Sequence, residues 1–341
     1  MRRSLFTIAF SAASVLLIIS GSTIWAASQV GGAALSHYLN TAGNSKRSQA
    51  TAASRSVESK SRWGTSVPRV ARFREVEGRG LLLKTWINGS GPYTFAVDTG
   101  AGATVISRRV AREARVNVTN RSALTISGLS GAAVTPGWKA VISALAIGDA
   151  ENFLPSQGSA LVVDRLPSGV DGILDPTEAY WPLGYTIDMP HGELSAFDPC
   201  VAPLRVDDLR SEGVVVAWLR ENDGRRPFVM LTGGRRALLD TGSGYGLAVN
   251  EDAARAIGIQ LPEDKGGKNS YDRRDVAGGV ISVQRIRPAT VYIGSLALRR
   301  VPTDFLSNIK PGAPVLLGRD ALRPFRCTFD PSSRLIHIRP A

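Results

Sequence analysis

The tripeptide Asp-Thr-Gly occurs twice, at positions 98–100 and 240–242, and each copy stands in the same local setting. The first is entered by Tyr93-Thr94-Phe95-Ala96-Val97 and left by Ala101-Gly102-Ala103-Thr104-Val105-Ile106. The second is entered by Arg236-Ala237-Leu238-Leu239 and left by Ser243-Gly244-Tyr245-Gly246-Leu247-Ala248-Val249. Each is an apolar strand, a Gly-rich turn and a second apolar run. The match continues downstream. Short helical stretches from Arg108 and from Glu251 are followed by Leu145-Ala146-Ile147-Gly148 and Val291-Tyr292-Ile293-Gly294. Then come Gly172-Ile173-Leu174 and Val315-Leu316-Leu317-Gly318, and finally a strand after Asp188 and after Asp330. At one residue type in twenty per position, a given tripeptide is expected roughly 0.04 times in a chain this long. Asp and Gly are good turn formers, which accounts for one copy but not for two in matching places. Internal repetition on this scale predicts two units of similar topology, and alternating strand and turn signals predict that both are all-β.

Two aspartates related in this way can meet face to face. Carboxylates about 3 Å apart cannot both ionise, so the pair holds one shared proton and titrates as a unit. One carboxylate can then accept a proton from water while the protonated partner hydrogen-bonds a carbonyl. Other chemistries have little to draw on. The three histidines, His37, His191 and His337, are scattered, and there are only two cysteines. No phosphate-binding loop and no Gly-x-Ser-x-Gly elbow occurs. No metal and no cofactor is expected. Around the pair, Gly100 and Gly242 would let the backbone turn and aim an amide at each carboxylate. Thr99 and Thr241 would bond across the interface between the two units. The Ser243 hydroxyl would donate to its carboxylate, a donor that Ala101 cannot offer.

The paired motifs resemble those of aspartic peptidases of the retropepsin and pepsin clan. Asp98-Thr99-Gly100-Ala101 followed by Thr104-Val105 is similar to the retroviral form, and Pro314-Val315-Leu316-Leu317-Gly318-Arg319-Asp320 to the clan's second signature. Two copies in one chain, and Ser243 after the second, are similar to pepsin. The resemblance implies a bilobal acid-protease fold, two pseudosymmetric β-barrel lobes with short helices, with Asp98 and Asp240 as the catalytic dyad. It implies a Gly-rich hairpin closing over the cleft near 125–133, with Gly128, Leu129, Ser130 and Gly131 at its tip. The matching hairpin would carry Gly278 and Gly279. Pepsin-like flaps hold a tyrosine; none is present, and Trp138 is the candidate to replace it. The chain departs from the pattern where Asp175 stands for the glycine after Ile173-Leu174, and where Gly246 stands opposite Thr104. Cys200 and Cys327 lie near equivalent late strands; in an exported chain a disulfide fits, and so do two buried thiols.

The 341-residue chain carries 41 Lys+Arg against 29 Asp+Glu. Its first 72 residues hold nine of those bases and one acid, Glu58, so most of the net charge of +12 sits ahead of the repeats. Arg2-Arg3 precedes an uncharged run from Leu5 to Ala27, which predicts an export signal, cleaved or retained as an anchor. Residues 28–69 read as a flexible basic linker, followed by an N-terminal lobe at 70–205 and a C-terminal lobe at 206–341. The protein is expected to face the periplasm, free or anchored in the inner membrane, and to act as a monomer on peptide or protein substrates. Nucleic acid is not expected to bind, because no recognition motif follows the basic run. The alternative function is a peptidase-like module that binds peptides with an idle dyad.

Overall fold

The computed structural model describes residues 18–19 and 66–341, apart from 120–122, 133, 156–157, 207–211, 222–223, 262–269 and 311. All of the expected signal except Ile18 and Ile19, and most of the expected linker, therefore lie outside the described residues. Ile18–Ile19 is a two-residue strand paired antiparallel to Ile126 and Ser127. Among the described residues no helix is long and apolar enough to cross a membrane.

The described residues are all-β with four short helices, arranged in three sheets of eleven, six and eight strands. The strands entering the two Asp-Thr-Gly turns are central ones. Phe95, Ala96 and Val97 in Ser90–Val97, and Ala237, Leu238 and Leu239 in Arg235–Asp240, are all buried. A run that is apolar on both faces is what a strand flanked by other strands requires. Each is the second arm of a hairpin. Asn88-Gly89 joins Gly80–Ile87 to Ser90–Val97, with both turn residues at positive φ, and Gly233-Gly234 does the same between Gly224–Leu231 and Arg235–Asp240. Asn and Gly adopt that conformation at little cost, which sets the register leading to each aspartate.

The same order of pairings follows each turn. Ser90–Val97 lies parallel to Gly172–Leu174, which is antiparallel to Thr104–Ser107. Arg235–Asp240 lies parallel to Val315–Gly318, which is antiparallel to Leu247–Val249. Helices Arg108–Glu113 and Glu251–Ala256 come next, capped by the side chains of Ser107 and Asn250. Helices Pro176–Ala179 and Arg319–Leu322 close the two sets.

The six-stranded sheet draws on both sides of the expected joint. Gly184–Asp188, from before it, pairs with Phe325–Asp330, near the C-terminus. Tyr185 stacks on Phe329 at 4.7 Å between ring centroids, and the hydroxyls of Thr186 and Thr328 are 3.0 Å apart. The two halves thus share a sheet and an aromatic core.

The two cysteines do not form a disulfide. Cys327 is buried in Phe325–Asp330, between Ile187 and Ile338 on the neighbouring strands, whereas Cys200 is exposed in the turn after Glu193–Phe197. They sit on different structural levels, a strand interior and a surface turn, and the sequence spacing did not separate those. Burial pushes the Cys327 thiol up to about 12, which keeps it protonated.

Candidate active site

Asp98 and Asp240 come together at the junction of the two halves, and both are buried, at 1% and 0% exposure. The turns are locked by a reciprocal set of bonds. Thr99 Oγ1 donates to the Leu239 carbonyl at 2.6 Å and accepts from the Thr241 amide at 3.1 Å. Thr241 Oγ1 donates to the Val97 carbonyl at 3.2 Å and accepts from the Thr99 amide at 3.1 Å. Each threonine thereby ties its own turn to the strand that feeds the other aspartate.

The two glycines serve close approach. A Cβ on Gly100 would lie 2.8 Å from Asp240 Cγ, and one on Gly242 would lie 2.2 Å from Asp98 Cγ. Any side chain there would push the carboxyls apart. The Gly100 amide also donates to Asp98 Oδ1 at 2.8 Å, as expected. On the other side it is the Ser243 amide, at 3.0 Å, that donates to Asp240 Oδ1. The expectation of a Ser243 hydroxyl bond is corrected: Ser243 Oγ accepts from the Tyr245 amide at 3.3 Å, because the turn carries the side chain back toward its own main chain.

The remaining oxygens, Asp98 Oδ2 and Asp240 Oδ2, are out of solvent and receive no donor from the described residues. Two buried acceptors facing each other need a proton between them. Burial, and then the Asp240 charge, hold Asp98 well above the usual carboxylate range. Asp240 is also raised by burial, but its bond with Asp98, the Ser243 amide and the Arg319 charge pull it down. Both carboxyls are thus held above their ordinary range, and the pair keeps one proton between them.

The positions after the second apolar strand of each half add smaller contributions of opposite sign, Asp175 raising Asp98 and Arg319 lowering Asp240. In the second half Arg319, almost fully buried, donates from Nη1 to the Thr241 and Gly242 carbonyls, both at 2.9 Å, and from Nε to Glu75 at 3.4 Å. In the first half the corresponding stretch is Asp175-Pro176. Asp175 caps the helix Pro176–Ala179, accepting from the Thr177 amide at 2.9 Å, and burial raises its carboxyl to about 7. Its charge adds to what holds the proton on Asp98. The two departures noted in the sequence are linked. The Asp175 amide donates to Thr104 Oγ1 at 3.4 Å, whereas the Gly318 amide donates to the Gly246 carbonyl at 2.9 Å. A hydroxyl in one half does the work of a main-chain oxygen in the other. Gly246 is required by space, since a Cβ there would lie 2.3 Å from the Pro302 carbonyl.

Gly128, Leu129, Ser130 and Gly131 form the turn between Leu124–Ser127 and Val134–Val141. Gly278 and Gly279 lie in the turn between Ser270–Arg274 and Val280–Ile293. The two turns touch. Ser130 donates from its amide, at 2.9 Å, and from its hydroxyl, at 2.5 Å, to Asp275 Oδ2. The Ala277 and Gly279 amides fill Asp275 Oδ1 at 3.0 and 2.8 Å. Leu129 is fully buried, in one cluster with Phe228, Leu238 and Tyr245 of the second half. Trp138 does not take the tyrosine's place. It lies beneath the Arg108 guanidinium, 4.1 Å from the ring centroid, packed on the first-half core.

Arg319, Arg226, Asp275 and Lys310 were not singled out from the sequence. Arg319 lay inside the quoted signature and Asp275 just before a Gly-Gly turn. Nothing local marks Arg226 or Lys310.

Strand content and paired Asp-Thr-Gly turns are those of an all-β protease fold. Residues 83–174, from the first hairpin through the strand that braces Asp98, match the family model described as aspartyl protease. This supports an aspartyl protease family of the retropepsin and pepsin clan. No curated protein matches the chain.

Proposed function

We propose that this chain is an aspartic endopeptidase that hydrolyses peptide bonds with a water activated between Asp98 and Asp240. One observation carries the reading: two buried carboxyls are brought together on turns joined by reciprocal threonine bonds, and both are held above the ordinary carboxylate range. Asp240 is the base that takes a proton from the attacking water. Asp98 gives its proton to the scissile carbonyl oxygen as the tetrahedral intermediate forms. Collapse returns that proton to Asp98, and the proton on Asp240 goes to the leaving amine. Buried N–H donors fixed on Asp98 and Asp240 need no reorganisation during the reaction. Thr99, Gly100, Thr241, Gly242 and Ser243 hold the turns, and the hairpins bearing Gly128–Gly131 and Gly278–Gly279 roof the cleft. An extended peptide would bind there as an added strand, with side pockets setting preference.

The reading extends to the lobes at 70–205 and 206–341, a linker at 28–69, and export by residues 1–27 to the periplasm, as a cleaved signal or an anchor. Both aspartates are in one chain, so the working unit is a monomer. The test is digestion of a random peptide library, with and without a hydroxyl-bearing transition-state inhibitor, followed by mass spectrometry. Asp98→Asn and Asp240→Asn should each abolish cleavage while leaving circular dichroism unchanged. Near-wild-type cleavage by either variant would falsify the shared-proton mechanism. Binding without cleavage by the wild type would favour the idle peptide-binding alternative.

A further inference from the structure

The first half carries a groove that the chemistry above does not use. It is a cavity of about 490 Å³ beside the helix Arg108–Glu113. Its floor is apolar. Val116 and Val162 are buried there, and Val118 and Trp138 are half-buried and packed on the main core. Its rim is basic. Arg108 and Arg112 stand one turn apart on the helix, Arg115 follows the helix end, and all three are exposed. The groove faces away from the dyad. On the strand Ser159–Val163, Leu161 and Val163 pack with Ala101 and Val105 beside the Asp98 turn, whereas Val162 packs on the opposite face with the main core. Trp138 is the residue paired with Val162 on the neighbouring strand.

The charge at the rim is not balanced within the chain. Asp164 engages Arg108 through Nε. Glu113 is turned to Arg109, whose Nη1 donates to both of its oxygens. The side chains of Arg112 and Arg115 have no ion pair or hydrogen bond among the described residues. Arg115 also holds a left-handed backbone conformation, φ 50°, where glycine is the usual residue after a helix. A long base is kept there despite that strain. The Arg108 guanidinium lies 4.1 Å from the Trp138 ring centroid, so a cation already covers one face of the indole.

Guanidiniums around an apolar floor suit a ligand that is anionic at one end and apolar along the rest. Their forked N–H donors match a carboxylate in geometry as well as in charge. The volume lies within the roughly 300–1,000 Å³ of small-ligand sites, room for one such group rather than for a folded partner. The chain itself does not supply the ligand. Residues 28–69 carry six bases and one acid, Glu58, so the rim repels them, and a second copy with a net charge of +12 is repelled in the same way.

We propose that this groove binds a carboxylate carried on an apolar body, the chemistry shared by the C-terminal residue of a peptide and by a free aromatic or aliphatic acid. The carboxylate accepts from Arg112 and Arg115, and the apolar body lies on Val116, Val118 and Val162 beside the Trp138 indole. The site stands apart from the dyad and does not depend on the peptidase reading.

The test is isothermal titration calorimetry on the full chain. N-acetyl-alanyl-phenylalanine and phenylbutyrate carry both groups, the amide of that peptide lacks the anion, and acetate lacks the apolar body. At least one of the two acids should bind at least tenfold more tightly than the amide and than acetate, the difference expected for one charge-assisted hydrogen bond or one buried ring. The tighter of the two acids identifies the source, a peptide end or a free acid. Arg112→Gln combined with Arg115→Gln should weaken that acid at least tenfold and leave circular dichroism unchanged, since neither side chain has a partner to lose. Tryptophan emission should shift on titration, and the shift should be absent in Trp138→Phe; a shift that persists there places the ligand elsewhere and overturns the proposal. An amide bound as tightly as the acids overturns it, as does binding untouched by the paired arginine change, or no saturable binding of either acid at millimolar concentration. Binding is read without turnover, so each outcome holds whether or not the chain cleaves peptides.

Discussion

Thr99→Val removes one hydroxyl from the lock beneath the dyad and changes the side-chain shape little. Two bonds disappear, the 2.6 Å donation to the Leu239 carbonyl and the 3.1 Å acceptance from the Thr241 amide. The reverse pair, made by Thr241 Oγ1, stays in place. A typical hydrogen bond contributes about 0.5–1.5 kcal/mol net, but a buried donor or acceptor left without a partner costs about 1–3 kcal/mol. Thr99 is wholly buried, so no water takes over. The Thr241 amide and the Leu239 carbonyl both lose the Thr99 hydroxyl, so the expected loss is about 2–4 kcal/mol. That is a large share of the roughly 5–15 kcal/mol that holds a domain folded. In urea unfolding the midpoint should fall by about 1 M with an unchanged slope. The kcat should fall with it, because the dyad geometry rests on the same bonds. Thr99→Ser keeps the hydroxyl and should recover most of both. A Thr99→Val protein within about 0.5 kcal/mol of wild type, or a Thr99→Ser protein as damaged as Thr99→Val, would refute the argument that these bonds hold the site together.

Asp175→Asn keeps the helix cap but removes a carboxyl whose folded value is raised by burial to about 7. A raised carboxyl stabilises the fold below its unfolded value, near 4, and loses that contribution as pH rises through about 7, so wild-type stability should drop by up to about 4 kcal/mol across this window and the variant should show a flatter curve in urea titrations at several pH values. The same change removes a negative charge that helps keep the proton on Asp98, so the alkaline limb of kcat/KM against pH should move to lower pH; a limb that moves up contradicts the assignment. Ser130→Ala removes the hydroxyl bond between the two hairpin turns and should raise KM for extended peptides several-fold more than it lowers kcat; an effect on kcat alone would mean the hairpins do not meet the substrate. Specific activity should stay constant on dilution over several decades, measured with a fluorogenic peptide, and a loss that scales with protein concentration would show that each chain supplies only one working half.

Much of this protein is legible in its residues in order. The repeated Asp-Thr-Gly turns, the apolar runs that become central strands, the Asn-Gly and Gly-Gly hairpins and the Gly-rich tips depend on neighbours a few positions apart. Strand period, turn conformation and helix capping are local properties, so a linear reading reaches them. The pairing of Asp98 with Asp240 was reachable only because the motif occurs twice, which turned a contact across 142 positions into a visible repeat. Tertiary structure decided the rest. Whether Ser243 offers its hydroxyl or its amide depends on how one turn is folded. How far each aspartate is held above its ordinary range depends first on burial, and then in part on Arg319 reaching back to Thr241 and Gly242 and on Asp175 beside Asp98. Cys200 and Cys327 were separated by a difference in burial that spacing does not encode. Lys310 looks like any other base in a basic chain until a hairpin from the other half is laid beside it. The charge state of a buried group follows from what surrounds it in space, and most of those surroundings here arrive from more than a hundred residues away.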